Sequence, residues 1–408
     1  MPKLQTISPR CRPLTPPALH APGKNPMKRP MKRQCGLWLP ALLGLTLLAG
    51  PPPAVAALTP RKHSAQASPQ KPGSARHTKG RKPAAAAMPT GPAWGATPAV
   101  RALAADVALR NGLPQAWVLQ QLGQARRVQA VRELIMPPPA GTAKNWAAYR
   151  ARFIEPDRIA AGVAFWAAAQ PWLNEAERRW GVPPEIVVGI VGVETFYGRV
   201  MGNFRILDAL ATLTLDFPPG RRDRSDFFKS ELEALLALTH RQKTDPFSLK
   251  GSFAGAQGLP QFMPSSIARW AVDFDRDGRI DLHGSKADVV GSVAHYLASF
   301  GWQQGLPTHH AVTPPANEAD RAALLAPDIV PTFSAEQMTQ RGAALAEAAR
   351  TQSGPLALVE LQNGDAPSTY VAGTQNFYTV TRYNWSSYYA MAVIELGTAV
   401  ARQRATAR

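Results

Sequence analysis

Pro183-Pro184-Glu185-Ile186-Val187-Val188-Gly189-Ile190-Val191-Gly192-Val193-Glu194-Thr195 decides how this chain of 408 residues is read. Eleven positions with one charge near the start favour a buried helix, opened by proline and closed on a glutamate. Apolar side chains around Glu194 would disfavour its ionised form and raise its pKa. A carboxyl group poised near neutrality can both give and take a proton, as cleavage of a glycosidic bond demands. Alone, the run is equally compatible with a structural glutamate satisfied by a partner elsewhere.

Outward from this run the chain is punctuated by proline and glycine. Upstream, residues 100–135 read as helical with breaks at Gly112 and Pro114, and Pro137-Pro138-Pro139 stops the pattern. After Glu155-Pro156-Asp157, Ile159, Val163, Trp166, Leu173, Ala176 and Trp180 recur at helical spacing until Gly181. Downstream, the glycines between Gly251 and Gly258, with Pro260 and Pro264, exclude a regular helix, and Ser265 or Ser266 suits the N-cap of a helix through Trp270. Residues 335–350 read as helical. Residues 356–361 and 369–371, joined at Asn363-Gly364, read as a hairpin. Residues 376–384 lead into a last helix over 386–402.

The net charge of +18 is a property of one end. Of 46 basic residues, fifteen precede position 99, where there is no acid; the remainder carries 31 basic against 28 acidic residues. The folded part therefore lacks the electrostatic footprint of a nucleic-acid binder. Lys28, Arg29, Lys32 and Arg33 precede an apolar stretch over 37–49 that ends in Pro51-Pro52-Pro53 and Ala54-Val55-Ala56. This is a signal-peptide pattern with cleavage after Ala56, an uncleaved anchor being the alternative, and Met27 or Met31 could be the start. Both cysteines, Cys11 and Cys35, fall in or before it, and no cysteine follows it for lipid attachment. The expectation is an exported periplasmic protein, not an integral membrane protein once the signal is removed. Residues 57–98 read as a disordered basic linker.

A glycosidase ordinarily pairs two carboxyl groups. Glu185 lies nine positions before Glu194, where it suits the helix dipole. Asp208 lies in Arg205-Ile206-Leu207-Asp208-Ala209-Leu210, which looks packed. A lone acid implies that the substrate supplies its own nucleophile. A zinc enzyme is disfavoured because His240, His283 and His295 are scattered and His309-His310 merely adjacent.

The motif Gly189 to Thr195, with Gly198-Arg199-Val200-Met201-Gly202 and Arg205-Ile206-Leu207-Asp208-Ala209-Leu210-Ala211-Thr212-Leu213, resembles the lytic murein transglycosylase B family. Further blocks agree: Gly251-Ser252-Phe253-Ala254-Gly255-Ala256 with Gln261-Phe262-Met263-Pro264, then residues 273–296, then Asn376-Phe377-Tyr378, Arg382-Tyr383-Asn384 and Tyr389-Ala390-Met391. The resemblance covers about residues 100–402. It implies a predominantly helical α+β fold with a lysozyme-like core, which motif density and changes of texture along the chain place at 181–305, behind a helical domain at 99–180 and before a small β-containing domain at 306–375 and a segment at 376–408 returning to the core. It also implies non-hydrolytic cleavage of the MurNAc–GlcNAc linkage of peptidoglycan glycan strands, leaving 1,6-anhydro-MurNAc ends, with Glu194 as the single acid/base.

Carried over residue by residue, the resemblance implies substrate contacts at Ser252, Gln261, Tyr149, Arg224, Tyr296, Asn384 and Tyr389. Where relatives carry two arginines this chain has Asp223-Arg224, which leaves the second positive contact open. Asp273-Phe274-Asp275-Arg276-Asp277-Gly278-Arg279-Ile280 opens like an EF-hand loop, with a backbone carbonyl expected at Arg279. Gly284 stands where the twelfth-position acid belongs, and the family resemblance implies Asp288 as the closing ligand of a structural Ca2+ site. No organic cofactor is expected, the chain is expected to be monomeric, and proteins of cell-wall synthesis or division are the further candidate partners. The rival readings are a hydrolytic muramidase, which would need Asp208 or another carboxylate to activate water, and a non-catalytic wall-binding scaffold.

Overall fold

The computed structural model describes residues 90–137 and 144–406. The expected signal segment and the linker up to residue 89 lie outside the described residues.

The first half is helical. Helix α1 (Pro98–Asn111) starts at an N-cap, Thr97, whose side chain accepts from the Val100 amide, and ends at Gly112 in the left-handed conformation. Short helices α2 (Gln115–Gln124), α3 (Gln129–Leu134) and α4 (Trp146–Ala151) follow. Helix α5 (Pro156–Trp180) runs 25 residues and stops at Gly181 (φ 67°). Helix α6 (Pro184–Thr195) is the apolar run read above, buried on nearly every face. Strand β1 (Phe204–Arg205), helices α7 (Ile206–Leu215) and α8 (Ser225–Gln242), strand β2 (Lys250–Gly251), α9 (Pro264–Trp270) and α10 (Lys286–Ser299) complete this half. Phe204 of β1 sits opposite Gly251 of β2 in an antiparallel pair.

The second half carries the sheet. In chain order come β3 (His309–Thr313), α11 (Glu318–Leu325), α12 (Ala335–Gln340), β4 (Ala344–Leu345), α13 (Glu347–Arg350), β5 (Ala357–Asn363), β6 (Ala366–Gly373), α14 (Gln375–Thr381) and α15 (Ser387–Thr406). The sheet order is β4-β3-β6-β5, antiparallel throughout. The fold is thus α+β and mostly helical, as expected.

Three local expectations are corrected. Residues 335–350 are not one helix: Gly342 (φ 85°) turns the chain, and Ala344 and Leu345 pair with Thr313 and Val312 before a second short helix. The N-cap of α9 is Met263, not Ser265 or Ser266; with Pro264 at the first helical position, Ser265 falls inside and its amide and hydroxyl both donate to Glu231 (2.9 and 2.7 Å). The hairpin turn is Gly364-Asp365, with Asn363 still paired to Ala366.

Packing divides the described chain into three apolar clusters. One gathers α5, α6, α10, α14 and α15 and so runs across position 180. A second joins α1, α2 and α3 to α7 and α8. A third lies under the small sheet. Helix α6 is the axis of the first, and glycine lets α15 lie directly on its backbone. A Cβ at Gly189 would stand 2.2 Å from the Val393 carbonyl oxygen, and one at Gly397 would stand 2.0 Å from that of Glu185. Gly189→Ala is therefore expected to force the helices apart and lower stability by roughly 2 kcal/mol, a shift that a urea unfolding curve would register.

Candidate active site

Glu194 occupies the last turn of α6, and the chain leaves it under strain. Phe196 (φ 51°) and Tyr197 (φ 56°) are consecutive left-handed residues without being glycine, at about 1–2 kcal/mol each. Neighbouring groups hold them there. The Thr195 hydroxyl donates to the Leu259 carbonyl (3.0 Å), Arg158 Nη1 donates to the Gly192 carbonyl (2.8 Å), and the Arg158 guanidinium lies 4.2 Å from the Phe196 ring centre. The Tyr197 hydroxyl fits against Gly162 and Gly192, where any Cβ would lie 2.5 Å from it.

The glutamate itself is half-buried, and burial raises its carboxyl to about 7. One hydrogen bond opposes that rise: the Tyr389 hydroxyl of α15 donates to Glu194 Oε1 (2.6 Å) and favours the ionised form. Tyr389 stacks on Tyr383 (6.3 Å, 14°), which in turn meets Tyr296 of α10 (4.9 Å, 60°). Each ring is tethered by its hydroxyl, Tyr383 to the Pro260 carbonyl (2.5 Å) and Tyr296 to the Arg382 carbonyl (2.6 Å). Tyr149 of α4 approaches from a separate segment, packed on Phe153 (5.2 Å) and Tyr388 (5.9 Å). Burial, then the charge of Glu194, pushes Tyr149 up to about 12. The same two causes, with burial the larger, hold Tyr383 and Tyr389 far above the usual phenol range; Tyr296 is also raised by burial and by Glu194, against an opposing pull from Arg382. Four tyrosines thus sense one carboxylate.

The expected site residues therefore separate into groups. Tyr149, Tyr296 and Tyr389 converge electrostatically on Glu194. Gln261 (φ 50°) ends the glycine-rich loop, its Nε2 donating to the Gly258 carbonyl (2.8 Å). Ser252 is buried, and its hydroxyl oxygen accepts from the Ala254 and Ala256 amides (3.3 and 3.0 Å), so it shapes that loop. Asn384 is half-buried and directly follows Tyr383. Arg224 sits at the N-terminus of α8 with its guanidinium over Phe227 and Phe228 (4.6 and 5.6 Å), against the second apolar cluster. Tyr383 joins these residues although the sequence marks it only by its place between Arg382 and Asn384.

A second carboxylate does not enter the electrostatics of Glu194 among the described residues. Glu185 stands at the far end of α6, roughly 14 Å away along the helix axis. Asp208 is buried and committed, accepting from the Arg126 amide (2.8 Å) and paired with Arg205 (2.6 Å).

The acidic loop brings ligand oxygens of Asp273, Asp275 and Asp288 within 4.8 Å of one another. Crowding shows in Asp288, whose carboxyl is raised by burial and by the charges of Asp275 and Asp273. Three carboxylates that repel one another suit a hard divalent cation with oxygen ligands. Asp277 lies outside this trio, its carboxylate engaged by the Arg279 amide (3.0 Å) and side chain (3.2 Å). The loop is not isolated. Phe274 packs on Trp180 (5.3 Å), and the Leu282 carbonyl accepts from the Leu259 amide (2.8 Å) in the loop that carries Gln261.

The family described as transglycosylase SLT domain matches residues 95–398. The chain is 41% identical over 310 residues to the membrane-bound lytic murein transglycosylase B of Escherichia coli K12, spanning 72% of this chain and 80% of that protein. Among solved structures, the soluble lytic transglycosylase SltB1 of Pseudomonas aeruginosa superposes with a TM-score of 0.68 at 38% identity, over 76% of this chain and 100% of the other. The Escherichia coli lytic transglycosylase Slt35 in complex with calcium superposes at 0.66 and 38% identity, over 78% and 97%. The chain belongs to the transglycosylase SLT domain family and is an enzyme of the lytic transglycosylase class.

Proposed function

We propose that this enzyme cleaves the β-1,4 MurNAc–GlcNAc bond of peptidoglycan without water, using Glu194 alone to move the proton. The carrying observation is a carboxyl group raised to about 7 inside a ring of tyrosines, with no second carboxylate acting on it among the described residues. In the first step protonated Glu194 gives its proton to the glycosidic oxygen as the C1–O bond breaks, and the sugar's own N-acetyl group stabilises the positive charge at C1. In the second, carboxylate Glu194 takes the proton of the C6 hydroxyl as that oxygen bonds to C1, closing the 1,6-anhydro ring. The proton account closes and Glu194 returns to its starting state.

Tyr149 and Tyr383, the half-buried rings, offer flat apolar faces for sugars with Tyr296 and Tyr389 packed behind them; Gln261 and Asn384 supply hydrogen-bonding groups for hydroxyl and acetamido substituents, and Ser252 shapes the loop that carries Gln261. Arg224, packed on phenylalanines rather than paired with an acid in the contacts described, is the candidate for a carboxylate of the muropeptide. A hydrolytic muramidase would need Asp208 or another carboxylate aimed at water, and the commitment of Asp208 to Arg205 and the Arg126 amide argues against it. Asp273, Asp275 and Asp288 would hold Ca2+, with Asp277 and the Arg279 carbonyl as the remaining expected ligands; the ion's role is to brace the loop that bears on Leu259. The related calcium complex supports that reading. A periplasmic location follows from the substrate; among the described residues no helix is long and apolar enough to cross a membrane.

Mass analysis of a murein digest tests the reaction: anhydro ends, one water lighter than reducing ends, are expected, and reducing ends would point to the muramidase instead. Glu194→Gln is expected to abolish cleavage while leaving glycan binding intact, and to raise stability at pH 8. The sign follows from the raised pKa: the native state binds the proton between about 4.5 and 7, so stability is lost as pH rises through that window. Gln does not titrate, and the gain of roughly 2–3 kcal/mol at pH 8 should vanish below pH 4.5, as paired thermal melts would reveal.

In Tyr389→Phe the donated hydrogen bond that favours carboxylate is gone. The alkaline fall of kcat/KM should move to higher pH by about one unit, read from a pH–rate profile. Chelation is expected to lower the melting temperature by several degrees, and readdition of Ca2+ to restore it.

A further inference from the structure

We propose that the tip of the small domain's hairpin is a strut that positions Tyr149, and so sets how tightly the site holds a glycan strand. None of the site residues named above lies in residues 306–373, so this gives the small sheet a part in substrate binding. The inference rests on the reading of Tyr149 as a saccharide contact.

Helix α4 has six residues, too few to hold itself in water. Its placement must come from what surrounds it, and one side of that surrounding is the turn between β5 and β6. The Gly364 amide donates to the Lys144 carbonyl (3.1 Å), Asn145 forms a β-bridge with Asn363, and the Ala147 amide donates to Asn363 Oδ1 (3.2 Å). Asn363 cannot easily swing away, because its Nδ2 donates to the Pro367 carbonyl (2.9 Å) and the Thr369 hydroxyl (3.2 Å) within the hairpin. Gly364 (φ 65°) keeps the turn close, since a Cβ there would stand 3.2 Å from Asn145 Nδ2.

A second branch reaches the same target through a side chain. The Tyr388 hydroxyl donates to the Gln362 carbonyl (2.9 Å), and its ring meets Trp146 (5.8 Å, 79°) and Tyr149 (5.9 Å, 73°) edge-on. Residues 362–364 therefore hold both the backbone that carries Tyr149 and the ring that abuts it. Arg150 pairs with Glu395 of α15, which anchors α4 to the core. The hairpin and α15 together grip a segment that has little stability of its own.

The test is a double-mutant cycle on binding, in the full-length chain carrying Glu194→Gln so that uncross-linked murein glycan strands are not consumed. Asn363→Ala is expected to weaken the calorimetric Kd about fivefold while the melting temperature falls by only about 2–4 °C, since the hydrogen bonds it removes lie at the exposed end of the hairpin. Tyr388→Phe, which removes one hydroxyl and keeps the ring, should act in the same direction. With Tyr149→Ala already present, Asn363→Ala should add nothing. Unchanged affinity in Asn363→Ala and Tyr388→Phe, or full additivity with Tyr149→Ala, overturns the strut. If Tyr149→Ala alone leaves affinity unchanged, the reading of Tyr149 as a saccharide contact fails first, and the strut falls with it.

Discussion

Desolvation of one carboxyl group, held in check by one phenol, is the constraint on which the site depends. Burial alone would leave Glu194 a reluctant acid; the hydrogen bond from Tyr389 favours the carboxylate and pulls the balance back. For this to work the two side chains must meet at 2.6 Å although they come from different helices. That meeting is made by the contact of α6 with α15, where glycines let the two backbones touch. The same helix pair thus builds the core and sets the acidity of Glu194.

The segment after Glu194 shows a complementary logic. Two left-handed residues in succession would not persist in an exposed loop. Here Arg158, Thr195 and the slot formed by Gly162 and Gly192 bind the turn from three directions. A carboxyl group with rotatable bonds gains directional control when the backbone behind it has nowhere to relax, and such control is what proton transfer to a defined oxygen needs.

Much of this could be read from the chain, and the unread part has a common cause. Helix ends at Gly112 and Gly181, the hairpin and the apolar wrapping of Glu194 are written in neighbouring residues, so local chemistry exposes them. Tyr383 was missed because its partners, Pro260, Tyr296 and Tyr389, come from three separate segments. Ser265 looked like a cap because its type suits one; only the fold reveals that Glu231 from another helix claims its amide and hydroxyl. The break after residue 340 was hidden because the pairing of Ala344 and Leu345 with β3 is a tertiary event. The strain at Phe196 and Tyr197 has no sequence signature, as neither residue type prefers that conformation.

The bond between Glu194 and Tyr389 joins positions 195 apart in the chain, which has a temporal meaning. During synthesis the glutamate is made long before its phenol, and α6 cannot bury its α15 face until the last helix emerges. A growing polypeptide therefore carries its glutamate through nearly half the length of the chain before the phenol that bonds to it is made.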